Sequence, residues 1–219
     1  VNADGQATAA NTPTSKPLDT DADGIPDFHD LDTDNDGIND VREANGTDPD
    51  NDGRPGIGNP VVDLDGLPAN DNTGASLSTT SKPQDTDNDL VRDFRDLDSD
   101  NDGINDVAET NKPDNDNNGR LGAGIPAVNA SGQASISAPT SNPTDTGGNG
   151  IPDFRQLESD GDGINDVAET NKPDPDFDGI IGVGVPVVNA NGQAGGNNSP
   201  TSSPTDTDGN GLADFQQLD

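Results

Sequence analysis

The sequence predicts a mostly irregular, elongated chain with short β-hairpins and little helix, assembled from tandem repeats of about 60 residues. Three observations predict it. The 219 residues contain only 38 Leu, Ile, Val and Phe, too few for one hydrophobic core in a chain of formal net charge −33. The chain aligns with itself without gaps over several blocks. Of its 43 acidic residues 39 are Asp and four are Glu, a bias that a merely solvating acidic tail does not need.

Composition excludes several classes. Ten Lys and Arg against 43 acids argue against a nucleic-acid partner. No apolar run approaches ~20 residues, so no membrane span is expected. With no Cys there is neither a disulfide framework nor a thiolate metal site, and nothing to say about redox compartment.

The repeats set the organisation. The segments beginning at Asp19, Asp85, Asp145 and Asp206 align, as do those beginning at Val1, Val62, Val128 and Val188. From each Asp to the next Val the distance is 43 residues, whereas the return distance varies from 17 to 23. Each repeat therefore has a block of fixed length and a segment that tolerates insertion. The boundaries are 1–61, 62–127 and 128–187, with a partial fourth repeat at 188–219. The variable segments are rich in Ser, Thr and Pro and read as flexible surface loops or as carriers of O-linked glycans. Sequons stand at Asn45, Asn129 and Asn197. The chain starts at a turn and stops inside an unfinished loop, which suits a piece of a longer repeat polypeptide or a protomer completed by a neighbour.

Within the fixed blocks, 19–59, 85–125 and 145–185, the acids keep a register. Asp19, Asp21, Asp23, Asp27 and Asp30 take positions 1, 3, 5, 9 and 12 of a first loop, with Gly24 at position 6. The pattern restarts at once with Asp32, Asp34, Asp36, Gly37, Asp40 and Glu43, and a shorter third loop has Asp48, Asp50 and Asp52. The second repeat repeats it with Asp85, Asp87, Asp89, Asp93 and Asp96, then Asp98, Asp100, Asp102, Asp106 and Glu109, then Asp114 and Asp116. The third offers Glu158, Asp160, Asp162, Asp166 and Glu169, then Asp174, Asp176 and Asp178, and the fourth Asp206 and Asp208. Short carboxylates at every second residue of a curled loop converge on one ion. Gly at position 6 permits the turn, and an acid at position 12 closes the shell. Ca²⁺, with six to eight oxygen ligands, suits so many carboxylates better than Mg²⁺ does, and two to three ions per repeat are expected. One His and no Cys argue against transition metals.

The loops are unequal. Those at 32–43 and 98–109 are complete, and 158–169 differs only in starting with Glu158. Leu90 replaces the expected Gly at 85–96, while 145–156 has Gly147 at position 3 and Gln156 at position 12 and is expected to be weak. The third loops lack an acid at position 9.

The motif DxDxDGxxDxxDxDxDxDGxxDxxE, read over 19–43, resembles the thrombospondin type 3 repeat in the form found in bacterial surface proteins. The resemblance covers roughly half of the chain. It implies little regular structure, a chain wrapped around a row of Ca²⁺ ions, and an extracellular or cell-surface spacer. This chain lacks the Cys of the animal form, so metal would do all the stapling. An EF-hand or dockerin needs a helix after each loop, and the single residue between Asp30 and Asp32 leaves no room for one, although short turns over 38–43 and its copies fit.

A recurring apolar set is expected to pack loop against loop: Ile25, Phe28, Leu31, Ile38 and Val41, with copies at Val91, Phe94, Leu97, Ile104 and Val107, at Ile151, Phe154, Leu157, Ile164 and Val167, and at Leu212, Phe215 and Leu218. The alternation Ile181, Val183, Val185, Val187, weaker at 121–127, predicts a strand, followed by an Asn-x-x-Gly turn and a second short strand. The function expected is an extracellular calcium-stiffened stalk or filament built from copies of itself, not an enzyme. His29 has no nucleophile partner and reads as solvated. An adhesin arm that grips a glycan or surface through its loops is the alternative, and an intracellular calcium buffer fits the Ser/Thr/Pro loops less well.

Overall fold

The computed structural model describes residues 17–62, 64, 68–70 and 83–218. The turn at Val1, most of the first two Ser/Thr/Pro segments, and Asp4, Asp63, Asp65 and Asp71 lie outside the described residues.

The described chain is mostly irregular, with little helix and few strands, as its composition predicts. Its α-helices are single turns: α1 (Asp40–Glu43), α2 (Asp106–Glu109) and α3 (Asp166–Glu169). Each follows an extended Asn, and each is stopped by an Asn in the left-handed region: Asn45, Asn111 and Asn171, at φ 58°, 55° and 57°. After α1 the Gly46 N–H reaches the Val41 carbonyl and the Asn45 N–H the Arg42 carbonyl, which is a Schellman closure. The copies close the same way through Lys112 to Val107 and Lys172 to Val167. Short 3₁₀ turns stand at Asp27–His29, Asp93–Arg95, Asp153–Arg155 and Asp214–Gln216.

The β content is smaller than the alternation suggests. β1 (Val61–Val62) and β2 (Pro68–Asn70) form one antiparallel pair, Val61 opposite Asn70 and Val62 opposite Pro68. The copies narrow to single antiparallel bridges, Val128 to Ala134 and Val188 to Ala194. No strand forms over 181–187. Gly182 and Gly184 sit at φ 95° and 57°, so the backbone bends at each Gly, and Val183, Val185 and Val187 are exposed while Ile181 is buried.

Packing is local and small. Val107, Leu121 and Ala134 form one apolar cluster, and Val167, Ile181 and Ala194 form its copy. Each joins a single-turn helix, a third loop and the segment after the Asn-x-x-Gly turn. Ile38, Leu97 and Ile104 are fully buried as expected. Phe behaves unevenly. α1 packs on the 3₁₀ turn holding Phe94, α2 on that holding Phe154, and α3 on that holding Phe215. Phe154 and Phe215 are buried, Phe94 is half-buried, and Phe28, on which no described helix packs, is 70 % exposed. Ile151, Ile164, Leu212 and Leu218 are exposed as well, so those expected core positions are not core.

The Ser/Thr/Pro segments within the described residues do not behave as free loops. Thr140 forms a parallel bridge with Ile38, and Thr201 one with Ile104. The Ser141 hydroxyl donates to Asp48 at 2.5 Å, and the Ser202 hydroxyl does the same to Asp114. The third loop 114–125 also lies on loop 32–43 of the preceding repeat: the Leu121 N–H bonds the Asn35 carbonyl, and the Arg120 Nε bonds the Asp34 carbonyl. Ile181 makes the equivalent bond to Asn101. These contacts enclose the acidic loops 32–43 and 98–109.

Candidate metal centres

The loops curl because their carboxylates bond their own backbone. Asp21 accepts the Asp23 N–H and Asp23 the Ile25 N–H. Asp34 and Asp36 accept from Asp36 and Ile38. Asp100 and Asp102 do so from Asp102 and Ile104. These Asx turns use one carboxylate oxygen; the other is buried without a partner in Asp23, Asp34, Asp36, Asp100 and Asp102, while that of Asp21 accepts the Asn35 amide. Asn at position 4, as at Asn35 and Asn101 (φ 60° and 58°), takes the left-handed conformation that the curl requires.

Position 9 has a different task. In every twelve-residue loop its carboxylate accepts both the backbone N–H and the hydroxyl of the Thr or Ser at position 2. Thr20 bonds Asp27, Thr33 bonds Asp40, Thr86 bonds Asp93 and Ser99 bonds Asp106. Thr146 bonds Asp153, Ser159 bonds Asp166 and Thr207 bonds Asp214. Asp27, Asp40, Asp93, Asp106 and Asp166 are thus first of all clamps that close the loop. The constant hydroxyl at position 2 was the signal for this in the sequence, and the Asp spacing overshadowed it.

Several groups of carboxylate oxygens lie close enough to share a cation: Asp19, Asp21 and Asp23; Asp32, Asp34 and Asp36; Asp48, Asp50 and Asp52; Asp85, Asp87 and Asp89; and Asp36, Glu43 and Asp106. Two loops stand out. Asp32, Asp34, Asp36 and Glu43 are all completely buried, and so, to within 2 %, are Asp98, Asp100, Asp102 and Glu109. Asp32, Asp34, Asp36 and Asp100 each keep one buried oxygen without a hydrogen-bond partner, as does Asp102, while Asp98, Glu43 and Glu109 keep both. At position 12 of the first loops, Asp30 and Asp96 each accept one N–H from the next loop, and Asp30 also keeps an unpartnered oxygen.

Burial raises these carboxyls well above the ordinary range, and crowding by like charges raises them further. For Asp32 the neighbour is chiefly Asp34, for Asp36 it is Asp106, and for Asp102 it is Asp166. Burial lifts Asp30 and Asp106 to about 8 and Asp21 to about 6. Anions taken from water without partners cost several kcal/mol each even after relaxation, so these loops need protons or cations to stay closed. All the polar atoms offered are hard carboxylate and carbonyl oxygens, the donor set of a hard divalent cation.

The remaining predicted ligands are placed differently. Asp48 is buried but saturated, taking the Asp52 and Gly53 N–H groups and the Ser141 hydroxyl. Asp50, Asp116 and Asp176 each accept a glycine N–H eight residues on, and Asp114 and Asp174 cap the turn at position 6. The loop 158–169 is more open: Glu158 accepts three backbone N–H groups, and Asp160 keeps one buried oxygen without a hydrogen-bond partner. Asp206, half-buried, and Asp208, exposed, bond Gly209, Asn210 and Gly211. In the loops 145–156 and 206–217 an amide pair closes the centre: Asn149 Nδ2 donates to Gln156 at 2.5 Å, and Asn210 Nδ2 to Gln217 at 2.8 Å. His29 is exposed and stands edge-on to Phe28.

The chain matches no protein-family model, no curated protein and no solved structure. Among the described residues no helix is long and apolar enough to cross a membrane.

Proposed function

We propose that this chain is an extracellular structural protein whose tandem repeats are folded and stiffened by Ca²⁺ into an elongated stalk or filament. The observation that carries the reading is the burial of the carboxylates at positions 1, 3, 5 and 12 of two loops, 32–43 and 98–109, with oxygens that have no hydrogen-bond partner. Protons can neutralise such loops, but each added O–H satisfies only one neighbouring oxygen and leaves others unpartnered. Divalent cations satisfy charge and coordination together, and Ca²⁺ tolerates the irregular geometry of seven or so oxygens better than Mg²⁺ does.

Saturated loops turn a chain with almost no hydrophobic core into a series of rigid units. The third loop 114–125 and the segment at Thr140 lie on the acidic loop 32–43, and Ile181 and Thr201 lie on 98–109, so order in one repeat supports its neighbours. A carrier of this kind suits calcium-rich surroundings outside the cell. Its partners are copies of itself or further repeats, and the exposed hydroxyls of Ser135, Ser199 and Ser203 are where glycans fit without disturbing the docked segments.

Circular dichroism and size-exclusion chromatography with and without EDTA test the reading. Chelation should expand the chain and abolish its ordered signal. Unchanged elution volume and spectrum after complete calcium removal would sink it.

A further inference from the structure

The acidic loop of one repeat is completed by a carboxylate from the next. Asp36 and Glu43 close the loop 32–43, and Asp106 opens helix α2, seventy residues along the chain from Asp36. All three are fully buried, and each offers a carboxylate oxygen within 4.8 Å of the others'. Glu43 is the decisive member: neither of its oxygens has a hydrogen-bond partner, although no part of it reaches solvent. Asp36 brings a further unpartnered oxygen. Asp106 accepts the Ser99 N–H on one oxygen and the Ser99 hydroxyl on the other, at 2.8 and 2.6 Å, which fixes the carboxylate in place and leaves each oxygen a further lone pair for a cation.

The geometry points to a cation site shared between repeats, in which Asp36 and Glu43 of the first and Asp106 of the second hold one divalent ion. A loop that bound its ion with its own residues alone would gain nothing from a third buried anion placed against it. A shared ion makes that anion a ligand and turns the metal into a staple between units. One repeat on, Asp102 and Glu109 are again buried and Glu109 again has no partner on either oxygen, and Asp166, fully buried at the start of α3, is the counterpart of Asp106. The proposal rests on the calcium reading above and adds that loop occupancy depends on the following repeat.

The test is a calcium titration of the full chain followed by backbone amide NMR, reading Gly37 and Ile38, whose N–H groups bond Asp32 and Asp36. Asp106→Asn should raise the calcium needed to saturate these resonances by about tenfold or more. Ser99→Ala removes only the hydroxyl half of the clamp, keeping the backbone N–H bond and the Asp106 carboxylate in place, and should leave them near the wild-type midpoint. If Asp106→Asn and wild type saturate Gly37 at the same calcium concentration, the shared site is wrong while calcium binding stands. If no loop of the wild-type chain responds to calcium, the calcium reading itself falls, and this one with it. Should Asp106→Asn give no dispersed spectrum, an experimental structure of the calcium-loaded wild type decides. Ion density touching both Glu43 and Asp106 supports the shared site, and density touching Glu43 alone overturns it.

Discussion

The guanidinium of Arg155 sits 2.9 Å from the Asp93 carboxylate, 62 residues away, with 8 % and 1 % of the two side chains exposed. The same group donates to the Glu43 carbonyl and to Asn45, and stacks on its neighbour Phe154 at 4.7 Å. One side chain of the third repeat thus ties down residues of the first and second. The other copies are graded: Arg95 reaches Asp27 at 2.8 Å but is more exposed, and Gln216 reaches Asp153 at 3.3 Å without charge.

Arg155→Ala leaves the buried Asp93 carboxylate short of its cation. The expected loss is about 3–5 kcal/mol, the cost of breaking a buried pair from one side. Arg155→Lys keeps the charge but loses the planar fork, and should fall between. Arg95→Ala, at a 35 % exposed site, should cost about 1 kcal/mol or less. Urea unfolding at saturating calcium measures all three. Equal losses at Arg95 and Arg155 would contradict the ranking.

Gly132 and Gly192 lie where the backbone approaches the position-12 acid of another repeat. A Cβ on Gly132 would run into the Asp30 carboxylate, and one on Gly192 into that of Asp96, and both glycines have positive φ. Gly132→Ala should weaken calcium binding at 19–30 more than at 98–109, and Gly192→Ala should weaken 85–96. Residue-resolved titration of Ile25 and Val91 amides, which bond Asp23 and Asp89, separates the two loops.

Leu90 carries the strain that its place at position 6 predicts. Its φ is 85°, where every glycine copy is at ease, and its side chain is 86 % exposed and contributes little packing. Leu90→Gly should stabilise the chain by about 1 kcal/mol, since the relief of left-handed strain exceeds the entropy that Gly adds to the unfolded state. Thermal unfolding in calcium reads this directly, and a lower midpoint would refute it.

The buried carboxylate clusters of the second loops were legible because alternate Asp with Gly at position 6 encodes its own local geometry. The three-residue spacing from Asp40 to Glu43 likewise matches the single helical turn. What the spacing could not show is long-range. Nothing near Glu43 announces Asp106, and nothing in a Ser/Thr/Pro run says that Thr140 will bridge Ile38, because those contacts depend on how repeats stack. The Ile181 to Val187 alternation misled for a local reason: period two marks a strand only when the residues between can stay extended, and Gly182 and Gly184 do not. Phe28 failed as a core residue because its burial depends on a helix packed upon it, which Phe94, Phe154 and Phe215 have.

Removing calcium should reverse the sign of the pH dependence. In the folded chain burial lifts Asp30 and Asp106 to about 8 and Asp40 to about 7, against an ordinary value near 3.8. Without cations the folded state therefore holds more protons than the unfolded one, and stability falls as pH rises from about 4 through 8. Any compact calcium-free form should be seen at acid pH and disappear by about pH 8. With calcium the ion replaces those protons, so the compact form should persist above pH 8 and give way on acidification. Circular dichroism from pH 4 to 9, on stripped and loaded chains, should show curves of opposite slope. Parallel curves would mean that the buried carboxyls are not what calcium neutralises.

The loop 206–217 provides the converse experiment. Asp206 and Asp208 keep positions 1 and 3, yet Asn210 and Gln217 face each other at positions 5 and 12 and bond directly at 2.8 Å, with Asn210 also donating to Asp208. Two amides satisfy one another where two carboxylates would repel, so this loop closes without a cation. Its backbone is otherwise that of a binding loop, down to the Thr207 clamp on Asp214 and the glycine at position 6 with φ 92°. Asn210→Asp with Gln217→Asp restores the acids found at Asp23 and Asp30. The double variant should bind one more calcium ion than wild type by native mass spectrometry, and each single variant should bind no more than wild type does. An unchanged count in the double variant would show that something besides the amide pair keeps the ion out. If wild type already carries an ion at this loop, seen as a loss of one on Asp206→Asn, the amide pair is not a substitute for metal.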